Sequence, residues 1–366
     1  FFLTRRELDL KASSKTTVPR IDDLIFHKDV VFTLTEVRSA RPHIENPPPK
    51  KVFLFIVDAL RLDFMTRQEG VTDSDSPYNQ FQSMHRLLEH NASQSLLFGF
   101  RADPPTVTAQ RLKSLTTGSL PTFIDIGANM NSSAITEDNF IDQLLSRAAF
   151  VDSNISRNTC PDTCTEIDCN CTNTSSCPTN NTTPNPTPTL IALGDDTWGS
   201  LFPTQFTSTQ YYDSFNTRDL DTVDEGIISH LFDYLPCGNN LTSPLKSLKN
   251  DYLAQEVQCS DANKPNWDLM IAHFLGVDHI GHTHNAFHPL MGERLALMDM
   301  LLMQVIERLP PDSVLFLFGD HGMTDQGEHG GSSQHETESG LFVYSTEPMF
   351  TVHTSNNDTN GRNDNN

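Results

Sequence analysis

The chain has 366 residues, 37% of them hydrophobic and 20% charged, which is enough to bury the core of one large domain or two smaller ones. Its formal net charge of −22 repels phosphate and excludes a general nucleic-acid binder, so no nucleic acid is expected as a partner. There is no apolar run of about 18 residues to span a bilayer as a helix, and no readable signal peptide.

Residues 1–50 are polar and close on Pro47-Pro48-Pro49, and they read as a membrane-proximal lead-in. The opening Phe1-Phe2-Leu3, without Met, is expected to mark a fragment cut after a membrane anchor. Residues 51–350 form the expected catalytic domain. It begins with Val52-Phe53-Leu54-Phe55-Ile56-Val57, a strand buried on both faces that ends on Asp58. Four more apolar runs follow: Ser95–Phe100, Leu190–Leu193, Leu269–Leu275 and Val314–Phe318. They lead into Thr106, Asp195-Asp196, Asp278 and Asp320-His321 respectively. Helical stretches at Thr108–Thr117, 137–148 and 290–309 alternate with them, predicting an α/β fold whose central sheet is mainly parallel, with helices on both faces. In such sheets functional groups gather beyond the carboxyl ends of the strands.

Two segments interrupt this pattern. Residues 151–188 are rich in Asn, Thr, Pro and Cys and cannot bury a core, and residues 233–266 read as a second, shorter insertion. Five of the seven cysteines, Cys160, Cys164, Cys169, Cys171 and Cys177, fall in the first, while Cys237 and Cys259 make a plausible pair in the second. Sequons at Asn170, Asn173, Asn180 and Asn181 crowd the same stretch. Together they point to a secretory lumen, with disulfides preferred over a structural zinc knuckle because no clean pair of CxxC motifs is present. Residues 351–366 read as a disordered linker.

The chemistry is concentrated at the strand ends. Gly319-Asp320-His321-Gly322 permits a sharp turn that presents two ligands, Asp278 and His282 sit four apart, and His329 follows in Gly327-Glu328-His329-Gly330. With Asp58 they form a set of carboxylates and imidazoles without cysteine, suited to zinc or manganese and numerous enough for two ions. Thr106, just before a helix, is either its cap or a nucleophile that a cation would help to ionise. His284 and His288 read as ordinary surface histidines, and Asp195-Asp196 either meets an ammonium group or closes a strand.

Val57-Asp58-Ala59-Leu60-Arg61, Pro105-Thr106, Gly194-Asp195-Asp196-Thr197-Trp198, Asp278-x-x-x-His282 and Gly319-Asp320-His321-Gly322-Met323-Thr324 resemble the GPI ethanolamine phosphate transferases of the alkaline phosphatase superfamily. Arg101–Thr106 with Leu115–Phe123 looks most like the third type, which modifies the third mannose, although the second type shares much of it. The resemblance implies an alkaline-phosphatase-like fold and an endoplasmic reticulum membrane protein with this domain in the lumen. It implies phosphatidylethanolamine as donor, a GPI precursor glycan as acceptor and a PIG-F-type stabilising membrane subunit. It also implies two Zn2+ ions, one on Asp58, Thr106, Asp320 and His321 and the other on Asp278, His282 and His329, with His335 competing for the last place. Thr106 would carry phosphoethanolamine covalently. The rivals are a phosphodiesterase or nucleotide pyrophosphatase, and an inactive glycan-binding domain.

Overall fold

The computed structural model describes residues 51–71, 76–120, 134–146, 187–237, 264 and 266–350. The lead-in, the linker and most of the two expected insertions lie outside these residues, as do all cysteines except Cys237, which is disulfide-bonded. Residues 233–234 of the second insertion instead complete a helix.

Seven strands make one sheet: β1 (Lys51–Val57), β2 (Ser95–Arg101), β3 (Leu190–Asp195), β4 (Ser208–Tyr212), β5 (Leu269–Phe274), β6 (Ser313–Phe318) and β7 (Glu338–Ser345). Their order is β2-β7-β6-β1-β5-β3-β4. The five from β6 to β4 run parallel, while β7 is antiparallel to both β6 and β2. The mainly parallel sheet is as expected. Four of the five apolar runs, β1, β3, β5 and β6, supply side chains to both faces, whereas β2 is a partly buried antiparallel edge strand. On β1, Phe53, Phe55 and Val57 enter one core and Leu54 and Ile56 the other.

Eight helices with described bounds surround the sheet: α1 (Leu62–Met65), α2 (Gln82–His90), α3 (Thr108–Thr117), α4 (Thr197–Leu201), α5 (Thr222–Tyr234), α6 (Gly276–Thr283), α7 (Pro289–Ile306) and α8 (Gln334–Thr337). Helices α2, α5, α6 and α7 pack into the larger core. Leu112 of α3 and Trp198 and Leu201 of α4 fill the other, so both faces are covered. Each fully buried Leu, Ile or Phe contributes about 1.5–3 kcal/mol of transfer free energy. Helix α3 spans the expected residues and ends where Gly118 turns left-handed at φ 67°. Helix α7 begins at Pro289, capped by the His288 ring, which gives that histidine a structural task.

Candidate metal centre and nucleophile

Because β1, β3, β5 and β6 are parallel, their carboxyl ends share one edge. Asp58 follows β1, Asp320 and His321 follow β6, and α6 grows directly from β5 and carries Asp278 and His282 on one face at i, i+4 spacing. Asp224 accepts the Leu275 and Gly276 N–H groups at the start of α6 and is paired with Arg294 at 2.6 Å, fixing that helix to α5 and α7.

The structure collects six of the expected residues into two adjoining groups. In the outer group, His282 Nε2 and His329 Nε2 are 2.9 Å apart, and both face Asp278 Oδ1, at 3.4 and 3.3 Å. His329 donates Nδ1–H to the Thr106 carbonyl at 2.7 Å, which leaves Nε2 aimed inward. Gly327 brings this loop into place. Its φ is 87°, and a Cβ there would lie 2.0 Å from the Gly281 carbonyl, so two backbones touch between the ligand segments. His335 is elsewhere, on Asp325 at 3.2 Å.

The inner group is fully enclosed. His321 Nε2 lies 3.3 Å from Asp58 Oδ1 and 3.4 Å from Asp320 Oδ2, while its Nδ1–H is held by the Gly322 carbonyl at 2.9 Å. Ala59 adopts a left-handed φ of 57°, strained for a residue with a Cβ, and there its N–H reaches Asp320 Oδ1 at 3.3 Å. The His321 ring stacks on His329 with 4.3 Å between centroids, so the two groups share a wall.

Thr106 is placed differently. Its hydroxyl accepts from Gly330 N–H at 2.8 Å and donates to the Gly331 carbonyl at 3.1 Å. The hydroxyl that reaches the inner group belongs to Thr108, the first residue of α3. It donates to Asp58 Oδ2 at 3.2 Å and lies 3.4 Å from His321 Nε2. Sequence reasoning took Thr108 only as the helix start. The missed signal is that a first-turn residue sits where the helix offers its open N–H groups.

The electrostatics fit cations. Asp58 Oδ1, Asp278 Oδ1 and Asp320 Oδ2 are buried without a hydrogen-bond partner among the described residues, and two clusters, Asp278-His282-His329 and Asp58-His273-Asp320, each have ligand atoms within 4.8 Å of one another. Burial, then repulsion by Asp320, Asp278 and Asp195, drives the Asp58 carboxyl well above the usual range. Burial lowers His321 to about 4. Burial opposes ionisation of Asp278 and His329 as well, but their mutual attraction outweighs it and sets them at about 2 and about 9. Opposed charges and unpartnered oxygens around one point are what a divalent cation relieves. Oxygen and imidazole donors without sulfur suit zinc.

Of the acidic pair, Asp195 accepts the Thr197 N–H at 2.7 Å and closes the turn after β3, while Asp196 accepts the Ser214 hydroxyl at 2.7 Å and ties that turn to the segment after β4.

Residues 52–337 match the family described as type I phosphodiesterase / nucleotide pyrophosphatase. The chain is 37% identical over 305 residues to the catalytic subunit of GPI ethanolamine phosphate transferase 3 from Homo sapiens, covering 82% of this chain and 22% of that protein. It is 32% identical over 309 residues to the catalytic subunit of GPI ethanolamine phosphate transferase 2 from Homo sapiens, covering 82% and 24%. The chain thus spans about a quarter or less of the length of these relatives. Among solved structures, the zinc complex of the C-terminal periplasmic domain of EcEptC from Escherichia coli superposes with a TM-score of 0.44 and 11% identity, covering 83% of this chain and 75% of that one.

Proposed function

Because the chain belongs to the type I phosphodiesterase / nucleotide pyrophosphatase family, we propose that it is the catalytic domain of a phosphoethanolamine transferase acting on GPI precursors, with Thr108 as nucleophile. The observation that carries this reading is the Thr108 hydroxyl, set between Asp58 and His321 at the N-terminus of α3. The donor is phosphatidylethanolamine and the acceptor a mannose hydroxyl. The higher identity to the type 3 relative, 37% against 32%, favours the third mannose. Such an enzyme works at the endoplasmic reticulum membrane with this domain in the lumen, beside a PIG-F-type subunit.

Asp58, Asp320 and His321 would hold one zinc ion beside Thr108, and Asp278, His282 and His329 the other. When bound, the ions supply positive charge that favours an ionised hydroxyl and offsets charge on the phosphoryl oxygens. Thr108 gives up its proton and attacks phosphorus, the bond from phosphorus to the diacylglycerol oxygen breaks, and that oxygen leaves with the proton as diacylglycerol. Developing charge on the phosphoryl group faces the open N–H end of α3. Phosphoethanolamine then rests on Thr108 until the mannose hydroxyl attacks phosphorus, the bond to the Thr108 oxygen breaks and the mannose proton returns to it, the second of two in-line steps. Thr106 serves by holding His329 through its carbonyl and the Gly330–Gly331 turn through its hydroxyl.

The test compares two neighbouring threonines. Thr108→Ala is expected to cut transfer by roughly a thousandfold or more, the scale of removing a nucleophile. Thr108→Ser keeps measurable transfer, and Thr106→Ala loses less than Thr108→Ala. A Thr108→Ala protein that transfers at the wild-type rate ends the proposal. Running the assay with and without a mannoside acceptor separates transfer from hydrolysis.

A further inference from the structure

One buried imidazole, His273, has a ring nitrogen within 4.8 Å of carboxylate oxygens of Asp58 and Asp320, yet it has no part in the two ligand sets proposed above. His273, on β5, is fully enclosed between Asp58 and Asp195. Its Nδ1 accepts the indole N–H of Trp198 at 3.1 Å. An indole nitrogen can only donate, so Nδ1 carries a lone pair and the ring proton sits on Nε2. Asp195 Oδ2 stands 3.4 Å from the same Nδ1. Burial pushes the Asp195 carboxyl upward, which eases the opposition of two lone pairs. The seat is close: Gly194 has φ 108°, and a Cβ there would lie 2.1 Å from the His273 carbonyl, so β3 approaches β5 as only glycine allows.

The other ring nitrogen is unspent. Nε2 has no hydrogen-bond partner among the described residues and lies 3.6 Å from Asp58 Oδ2, just beyond bonding length. The two oxygens of Asp58 differ. Oδ2 accepts the Thr108 hydroxyl, whereas Oδ1 is buried without a donor and faces His321. Once Thr108 has lost its proton it can no longer donate to Oδ2. His273 Nε2, 3.6 Å away, then faces that oxygen.

We infer that His273 is a positioning residue: its Nε2–H, aimed by Trp198, holds Asp58 Oδ2 and keeps Oδ1 turned into the inner group for a divalent cation. This rests on the two-cation reading above. Direct ligation through Nε2 would need the proton on Nδ1, where it would oppose the Trp198 N–H. Removing a partner that orients a ligand typically costs about 10–100-fold in metal affinity.

The experiment measures zinc stoichiometry and affinity of the full chain by competition with a chelator. Two ions are expected in the wild type. His273→Phe is expected to keep the outer ion and bind the inner one about 10–100-fold more weakly. His273→Gln, whose amide N–H can reach the same oxygen, recovers most of that loss, and Trp198→Phe, which unlocks the tautomer, falls between. Wild-type inner affinity in His273→Phe overturns the inference. So does a His273→Gln chain as weak as His273→Phe, which marks the ring nitrogen as a ligand in its own right. Should His273→Phe fail to fold, His273→Gln and Trp198→Phe carry the comparison. A wild-type chain that takes up no zinc overturns the two-cation reading itself, a different result from either.

Discussion

The two halves of the centre use similar side chains in opposite settings. The outer group hangs from a helix and a loop, with His282 and His329 partly reached by solvent at 24% and 14% side-chain exposure. The inner group sits on strand ends, with Asp58, Asp320 and His321 at 2% or less. Only the inner group is touched by the Thr108 hydroxyl. The difference teaches where each task belongs. A nucleophile must be held in a dry, fixed frame, while ligands that receive a substrate group can stand nearer the opening.

The sharpest way to break this comparison is to damage each half in turn. Asp320→Asn is expected to release the inner ion and lower transfer by roughly a thousandfold or more, measured by metal content and turnover. His282→Gln is expected to weaken the outer ion with a smaller loss of turnover. Equal losses from the two variants would erase the distinction between halves.

A change beneath the outer group tests its support. Arg294 binds Asp224, whose carboxylate caps α6. Arg294→Met leaves that buried carboxylate unpaired, and the expected destabilisation is about 3–5 kcal/mol by denaturant unfolding. Outer-ion affinity falls with it while inner-ion affinity holds. An unchanged unfolding midpoint would show that the helix is fixed by packing alone.

The pH response of metal-free protein follows from the shifted groups. His329, raised to about 9, and Asp58, raised by burial and neighbouring carboxylates, each bind a proton more tightly when folded. Their contribution is complete below the unfolded-state values and is lost as pH rises through the folded ones. Asp278, lowered to about 2, acts in the other direction, and its contribution disappears only as pH falls toward that value. In chelator, the melting temperature is therefore expected to fall between pH 6.5 and 9. With zinc bound the ions replace those protons, and the fall should flatten. A parallel decline in both preparations would sever the centre from the effect. The smallest expected change is His335→Ala, which removes only a contact with Asp325 and should leave zinc content unaltered.

Much of this arrangement is legible in the chain because buried parallel strands are continuous apolar runs, and those of β1, β5 and β6 end on the acids that matter. Strand β4 escapes notice because Ser208-Thr209-Gln210-Tyr211-Tyr212 is a half-exposed polar edge, and β7 because Gly340 interrupts its pattern on an antiparallel strand. The i, i+4 pair Asp278 and His282 can be read from spacing. His273 cannot, since it is hidden inside Leu269–Phe274, although a histidine in a strand buried on both faces must find polar partners somewhere. The choice between Thr106 and Thr108 turns on which hydroxyl the Gly330–Gly331 turn consumes, a contact across more than 220 residues that no local pattern encodes.

The seat of Gly327 on Gly281 constrains anyone who would transplant this centre into another scaffold. A Cβ on Gly327 would collide with the Gly281 backbone at 2.0 Å, so copying Asp278, His282 and His329 onto a new helix and loop is not enough. The graft must carry the bare junction between the two chain segments, and a screen that allows alanine there would discard the geometry it was meant to keep.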